Sequence, residues 1–197
     1  MTQPAGPSDP KAELRKTILA RRDALSGESR AALSEVIFAT ITELVAFRQA
    51  QTVLAYASFG SEPVTDPFLR AVLALDKVLV LPKVNRPPRT LDLFRVTEPE
   101  TQLEPGVWGI REPAPALCAP AALDEIDLVL VPGVVFDVRG GRTGYGGGYY
   151  DRLLARCPAD AALVAAAFEV QIVEEVPMGP RDRRVDRVVT EQRVYPA

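Results

Sequence analysis

Residues 139 to 151 of this chain read Arg-Gly-Gly-Arg-Thr-Gly-Tyr-Gly-Gly-Gly-Tyr-Tyr-Asp. Glycines at that density, bracketed by Arg142 and Asp151, describe a loop suited to an anion. Without Cβ atoms, main-chain N–H groups can close on a phosphate, and the free amides and positive dipole end of a following helix favour negative charge there. Arg142 can neutralise such a charge, and Asp151, within a helical turn of the loop, could hold a magnesium ion riding on it. Taken alone, a tight strand-to-helix turn explains a glycine cluster equally well. The loop lacks the Lys-Ser/Thr ending of a Walker P-loop, and the acidic ribose reader that follows a dinucleotide loop about twenty residues on is missing.

Other residues have both a chemical and an ordinary reading. Lys11 and Arg15 are four apart on an expected helix, so their side chains share one face. They could clamp a phosphate, although solvated helix charges usually explain such a pair. Trp108, the only tryptophan, lies in Glu104–Pro113, a stretch too rich in Gly and Pro for a regular element. It could stack on a flat heterocycle or plug a core edge. Glu62 and Thr65 follow an expected strand, where α/β folds place ligand contacts; Thr65 before Asp66-Pro67 also reads as a helix cap. Asp182 and Asp186 flank a basic cluster, and either surface ion pairing or a second magnesium ligand fits them.

The chain that must position these groups has 197 residues, 47% of them apolar, and a formal net charge of −3. This suits a core of ordinary globular size and gives no reason to expect a nucleic-acid partner. Histidine is absent, which excludes His-based triads and His-ligated zinc. Cys118 and Cys157 form neither a metal-ligand spacing nor a disulfide framework, so a reducing, cytoplasmic setting is expected. The first ten residues lack the apolar stretch of a signal peptide, and no run is long enough to span a bilayer. A flexible segment over residues 1–10 and a single domain over residues 11–197 are expected.

Helical spacing over Lys11–Leu25 and Glu28–Phe47 predicts two opening helices separated by Ser26-Gly27. Thr52–Ser58, Val78–Pro82, Leu91–Val96, Asp127–Val131, Leu163–Phe168 and Arg187–Thr190 read as strands; Asp127–Val135 forms one apolar run leading toward the glycine loop. Pro67–Leu75 and Tyr149–Arg156 read as helices between strands, while the Pro-rich segments Arg86–Arg89 and Glu112–Pro120 read as loops. Strands alternating with helices predict a three-layer α/β/α fold with a mostly parallel central sheet, Rossmann-like in plan.

From Lys11 to about Glu191 these motifs together resemble the 5-formyltetrahydrofolate cyclo-ligase family. The likeness runs through Lys11-x-x-Leu14-Arg15, Glu62-x-x-Thr65, Gly109-Ile110-x-Glu112-Pro113 and Pro132-Gly133 with Phe136-Asp137. It continues through the loop from Arg142 to Arg152, Phe168-Glu169-x-Gln171, and Asp182-x-x-Val185-Asp186 with Thr190-Glu191. The resemblance implies ATP- and magnesium-dependent closure of 5-formyltetrahydrofolate to 5,10-methenyltetrahydrofolate, through an N5-iminium phosphate, by a monomer.

It also implies roles. Lys11, Arg15 and Arg142 would act on the phosphates, with Thr143, Gly144, Tyr145, Gly146, Gly147, Gly148, Tyr149 and Tyr150 completing the nucleotide loop. Asp151 and Asp182 would associate with magnesium, and Phe59, Glu62 and Trp108, with Tyr149 and Tyr150, would enclose the folate. Many members carry a basic residue where Tyr145 or Gly147 stands, which leaves phosphate charge here to Arg142, Lys11, Arg15 and magnesium. The family often has His where Arg181 stands, and a polar residue where Val64 does.

Overall fold

The computed structural model describes residues 10–180 and 182–196. The segment expected to be flexible and the Arg181 position fall outside them, except for Pro10, which opens the first helix. In chain order the elements begin with α1 (Pro10–Asp23), α2 (Gly27–Glu43), α3 (Val45–Gln49), β1 (Thr52–Leu54), α4 (Asp66–Ala74), β2 (Val78–Asn85) and β3 (Thr90–Val96). Then come α5 (Pro99–Gln102), β4 (Leu103–Pro105), β5 (Arg111–Pro113), β6 (Ala119–Pro120), β7 (Leu128–Leu130), β8 (Val135–Asp137) and β9 (Arg142–Thr143). The last are α6 (Tyr149–Leu154), β10 (Ala162–Ala166), β11 (Ile172–Val173), β12 (Arg187–Val189) and β13 (Val194–Pro196).

The central sheet runs β13-β12-β10-β7-β1-β2-β3-β6. Neighbours from β12 through β2 are parallel, and β13, β3 and β6 join antiparallel at the two edges. Alternation along the strands sorts side chains to two cores. Val53, Leu128 and Leu130 face a cluster with Ile37, Phe38, Phe47 and Phe68 from α2, α3 and α4; Leu54, Val129 and Val131 face one with Phe136, Leu153 and Leu154. Both faces are therefore covered, as the strand-helix alternation predicts.

Several expected boundaries change for local reasons. The second helix breaks at Leu44, whose φ/ψ of −62°/139° is extended, giving α2 and α3 in place of one helix. The first strand stops at Leu54; the Ala55 N–H still donates to the Val80 carbonyl, and residues 56 to 58 run on beyond the ladder. The apolar run Asp127–Val135 is two strands, since Pro132-Gly133 interrupts it, and β8 pairs antiparallel with β9 and parallel with β11 in a separate small sheet. Gly140 and Gly141 consequently form the β8–β9 turn. The buried Asp137 carboxylate accepts there from the N–H groups of Arg139 and Gly141, and also from Val176. The segment around Trp108 is a hairpin of β4 and β5, and residues 119–120 add an edge strand.

Candidate functional site

The chain leaves β1 and turns to one side of it, through β2, and returns as β7 on the other side. In open α/β sheets the crevice beyond the carboxyl ends of such diverging strands receives ligands. Here it is a cavity of about 1020 Å³. Tyr56, Phe59 and Glu62 reach it from the segment after β1, Pro82 and Val84 from β2, and Pro132 from the segment after β7. The glycine loop, α1 and the β4–β5 hairpin complete its walls.

α1 is brought there by the small sheet. Ile18, with Leu14 and Leu19 beside it, packs on Val134, Val135 and Val176, which turns the basic face of the helix toward the loop. Arg15 Nε donates to the Gly144 carbonyl at 2.8 Å, and Lys11 Nζ is 2.5 Å from Asp182 Oδ2. Both basic side chains line the cavity together with Arg142. The proximity that a phosphate clamp requires is present.

The loop proper spans Gly144 to Gly148, between β9 and α6. Gly146 and Gly148 have φ of 91° and 68°, a left-handed backbone that glycine adopts without strain. Within the described residues the N–H groups of this span meet no protein acceptor. Behind it Arg142 is buried, with Nη1 donating to the Pro132 carbonyl at 3.1 Å, Nη2 paired to Asp151, and Nε partnerless; the Thr143 hydroxyl is also buried and partnerless. Burial depresses the Arg142 pKa, while the charges of Asp151 and Asp182 oppose that. A Cβ at Gly147 would stand 2.9 Å from the Tyr149 ring, so the glycine at this departure from the family pattern accompanies that ring placement.

Asp151 and Asp182 both line the cavity near Arg142. Burial alone would raise the Asp182 carboxyl, but hydrogen bonds from Lys11 and the Gly179 N–H outweigh it and hold it below the usual range. Asp186 is elsewhere occupied, accepting from the Leu163 N–H at 2.7 Å. Among the described residues no group of three His, Cys, Asp or Glu side chains could hold a metal on its own. Two carboxylates beside a phosphate loop still suit magnesium, whose remaining positions are ordinarily filled by phosphate oxygens and water.

Aromatic rings also line the cavity. Trp108 sits at the tip of the β4–β5 hairpin, 59% exposed, with the Arg86 guanidinium 3.7 Å from its ring centre and the Tyr149 ring edge-on at 6.0 Å. Arg86 Nε also donates to the Tyr149 hydroxyl. Trp108 is thus a wall and not a core plug. Phe59 lies against Tyr145 with ring centres 5.1 Å apart, and Tyr150 keeps a buried, partnerless hydroxyl.

Glu62 is buried, accepting from the Phe59 N–H and from the Tyr145 hydroxyl at 3.0 Å. Burial raises its pKa to about 7, against the lowering effects of these bonds and of Arg22. Thr65 makes no side-chain cap. Its Oγ1 accepts from the Ser58 N–H while the Ser58 Oγ accepts from the Thr65 N–H, closing the loop that carries Glu62. Sequence reasoning passed over Tyr56, Arg22 and Arg86. Helical spacing puts Arg22 on the face of Lys11 and Arg15 but does not mark it as buried, and nothing local marks the other two.

A family model described as the 5-formyltetrahydrofolate cyclo-ligase family matches residues 7–191. The chain is 30% identical over 186 residues to a 5-formyltetrahydrofolate cyclo-ligase of Mycolicibacterium smegmatis, covering 93% of this chain and 94% of that one. It is 28% identical over 189 residues to the 5-formyltetrahydrofolate cyclo-ligase of Mus musculus, covering 92% and 93%. An NMR structure of Aquifex aeolicus 5,10-methenyltetrahydrofolate synthetase has a TM-score of 0.83 and 37% identity, covering 94% of this chain and 92% of that one.

Proposed function

Because the chain belongs to the 5-formyltetrahydrofolate cyclo-ligase family, we propose that it closes 5-formyltetrahydrofolate to 5,10-methenyltetrahydrofolate at the expense of ATP, with magnesium, releasing ADP and phosphate. One observation carries this reading: a single cavity is lined both by cations with a glycine loop and by aromatic rings with a buried carboxylate. A triphosphate suits the first and a flat, polar-edged pterin the second.

In the proposed reaction the formyl oxygen attacks the γ-phosphate, N10 then closes the ring on the resulting N5-iminium phosphate, and phosphate leaves. Phosphoryl transfer depends mostly on positioning and on neutralising charge. Lys11, Arg15, Arg142 and the amides from Gly144 through Tyr150 take that part, with Thr143 behind them. Asp151 and Asp182 would hold the magnesium ion, which when bound offsets charge on the phosphates. Phe59, Trp108, Tyr149 and Tyr150 enclose the pterin, and Glu62 meets its polar edge. No side-chain nucleophile is required, in keeping with a chain that has no histidine.

One domain over residues 11–197, acting as a monomer in the cytoplasm, completes the proposal. No described helix is long and apolar enough to cross a membrane. The test is direct: protein, magnesium, ATP and 5-formyltetrahydrofolate should generate the near-ultraviolet absorbance of the methenyl product. Absence of that signal over a broad range of pH and substrate concentration would reject the activity.

A further inference from the structure

α1 carries a third basic residue on the face that holds Lys11 and Arg15. Arg22 lies seven residues beyond Arg15, two helical turns along, and is only 2% exposed. The reaction proposed above makes no use of it. Its Nε donates to Ser61 Oγ at 2.9 Å, and that hydroxyl donates to Asp23; its Nη2 donates to the Tyr145 phenolic oxygen at 2.7 Å. Nη1 is buried without a partner.

These bonds have a direction. A guanidinium only donates, and a phenol has one hydrogen. Arg22 therefore occupies the acceptor side of Tyr145, and the phenolic hydrogen is committed to Glu62 Oε1 at 3.0 Å. The chain runs from Arg22 through Tyr145 to Glu62, with its middle member inside the glycine loop. Gly144, before Tyr145, accepts from Arg15, and Gly146, after it, faces the Arg15 guanidinium. The Tyr145 side chain is therefore tied to the stretch of backbone that Arg15 also holds. A basic side chain at this position could only donate to Glu62, whereas a phenol both accepts and donates, and so can connect Arg22 with the carboxylate.

We propose that Arg22 and Tyr145 are positioning residues that couple the two linings of the cavity, so that engagement of Glu62 by the folate resets the Tyr145 hydrogen bond and the loop that receives the nucleotide. This rests on the reading that Glu62 meets folate and the loop meets ATP. Such coupling is reciprocal: each ligand tightens the other by the same factor.

The experiment measures binding of a non-hydrolysable ATP analogue with magnesium, with and without saturating 5-formyltetrahydrofolate. The native chain is compared with Tyr145→Phe, Arg22→Lys and the double variant Tyr145→Phe/Glu62→Gln. The native chain should show coupling of about five-fold or more, and Tyr145→Phe a factor close to one. Adding Glu62→Gln to Tyr145→Phe should change the factor no further. The factor is a ratio, so a uniform loss of affinity for one ligand leaves it unchanged and only lost communication moves it.

Tyr145→Phe removes a single oxygen and decides the matter even where Arg22→Lys does not fold. Full coupling in Tyr145→Phe overturns the proposal. Native protein that binds both ligands without coupling also overturns it and leaves the proposed activity standing. Native protein that binds neither ligand removes that activity and this proposal together.

Discussion

Arg142 and Asp151 are paired across the loop they bracket: the guanidinium donates to Asp151 Oδ1 while its own Nε stays buried without a partner. The Asp151 side chain is 39% exposed and that of Arg142 only 4%, so the cation is held in protein while its counter-ion reaches the cavity. A charge fixed in this way needs little rearrangement to oppose a developing phosphoryl charge.

Arg142→Ala should therefore lower turnover by about 100-fold, in the range seen when a fixed charge-stabilising donor is removed. Folate affinity should change much less. Rapid-mixing single-turnover rates alongside equilibrium folate binding separate the two, and equal losses in both would contradict the assignment. Arg142→Lys should not restore the rate, because a lysine cannot reach the Pro132 carbonyl and Asp151 as a planar fork does.

Arg15→Gln breaks the bond to the Gly144 carbonyl and removes a cation from the loop. Loss of a charged hydrogen bond corresponds to roughly ten- to hundred-fold in affinity. The effect should appear as a raised KM for ATP with the KM for folate little changed. A variant whose ATP saturation curve overlays that of the native protein would remove Arg15 from the clamp.

Asp182→Asn should raise the magnesium concentration needed for half-maximal rate several-fold, since a neutral amide is a poorer ligand for a hard cation. Magnesium titrations at fixed ATP provide the measurement. Chelation of the metal should stop turnover while leaving the thermal midpoint of the ligand-free protein unchanged, because the proposed ion needs phosphate oxygens to complete its shell.

Trp108 is the chain's only tryptophan, so its fluorescence reports on the aromatic lining alone. A pterin stacked on the face that Arg86 covers would displace the guanidinium from its place 3.7 Å from the ring centre. Folate should alter the emission strongly in the native protein. Arg86→Ala should shift the ligand-free spectrum, and Trp108→Phe should weaken folate binding by about two- to ten-fold, the worth of an aromatic stacking contact. Folate that binds without altering the emission would place the pterin elsewhere.

Glu62 gives a pH dependence of defined sign. Its pKa is raised from 4.5 to about 7, chiefly by burial, so the folded state holds its proton more tightly than the unfolded state does. The associated stability is fully present below the unfolded value and is lost as pH rises through about 7. Denaturant unfolding at about pH 5 and about pH 8 should show a larger decline for the native chain than for Glu62→Gln. Equal declines would mean that Glu62 titrates normally.

The central sheet was legible because its strands are short apolar runs between turn residues, and Val53-Leu54 or Leu128-Val129-Leu130 must be buried on both faces. The loop and clamp residues were legible as well, since glycine density and an i,i+4 basic pair are local patterns. The break at Leu44 was not, because no glycine or proline marks it. The β8–β9 hairpin was hidden by reading through Pro132-Gly133, although that pair is itself a strand-breaking signal. Arg22 stands in Arg21-Arg22-Asp23, which looks like exposed helix surface; its burial comes from Ser61 and Tyr145, which only the tertiary fold brings near.

The ion pair of Lys11 with Asp182 spans 171 positions of sequence. The loop glycines and the whole of α1 precede Asp182 in the chain by at least 34 and 159 positions, so this contact joins the two most distant parts of the phosphate site. The cradle is complete only once the segment carrying Asp182 has folded back onto α1. Removing Asp182 alone should therefore disable the phosphate site, although the loop and α1 are both retained.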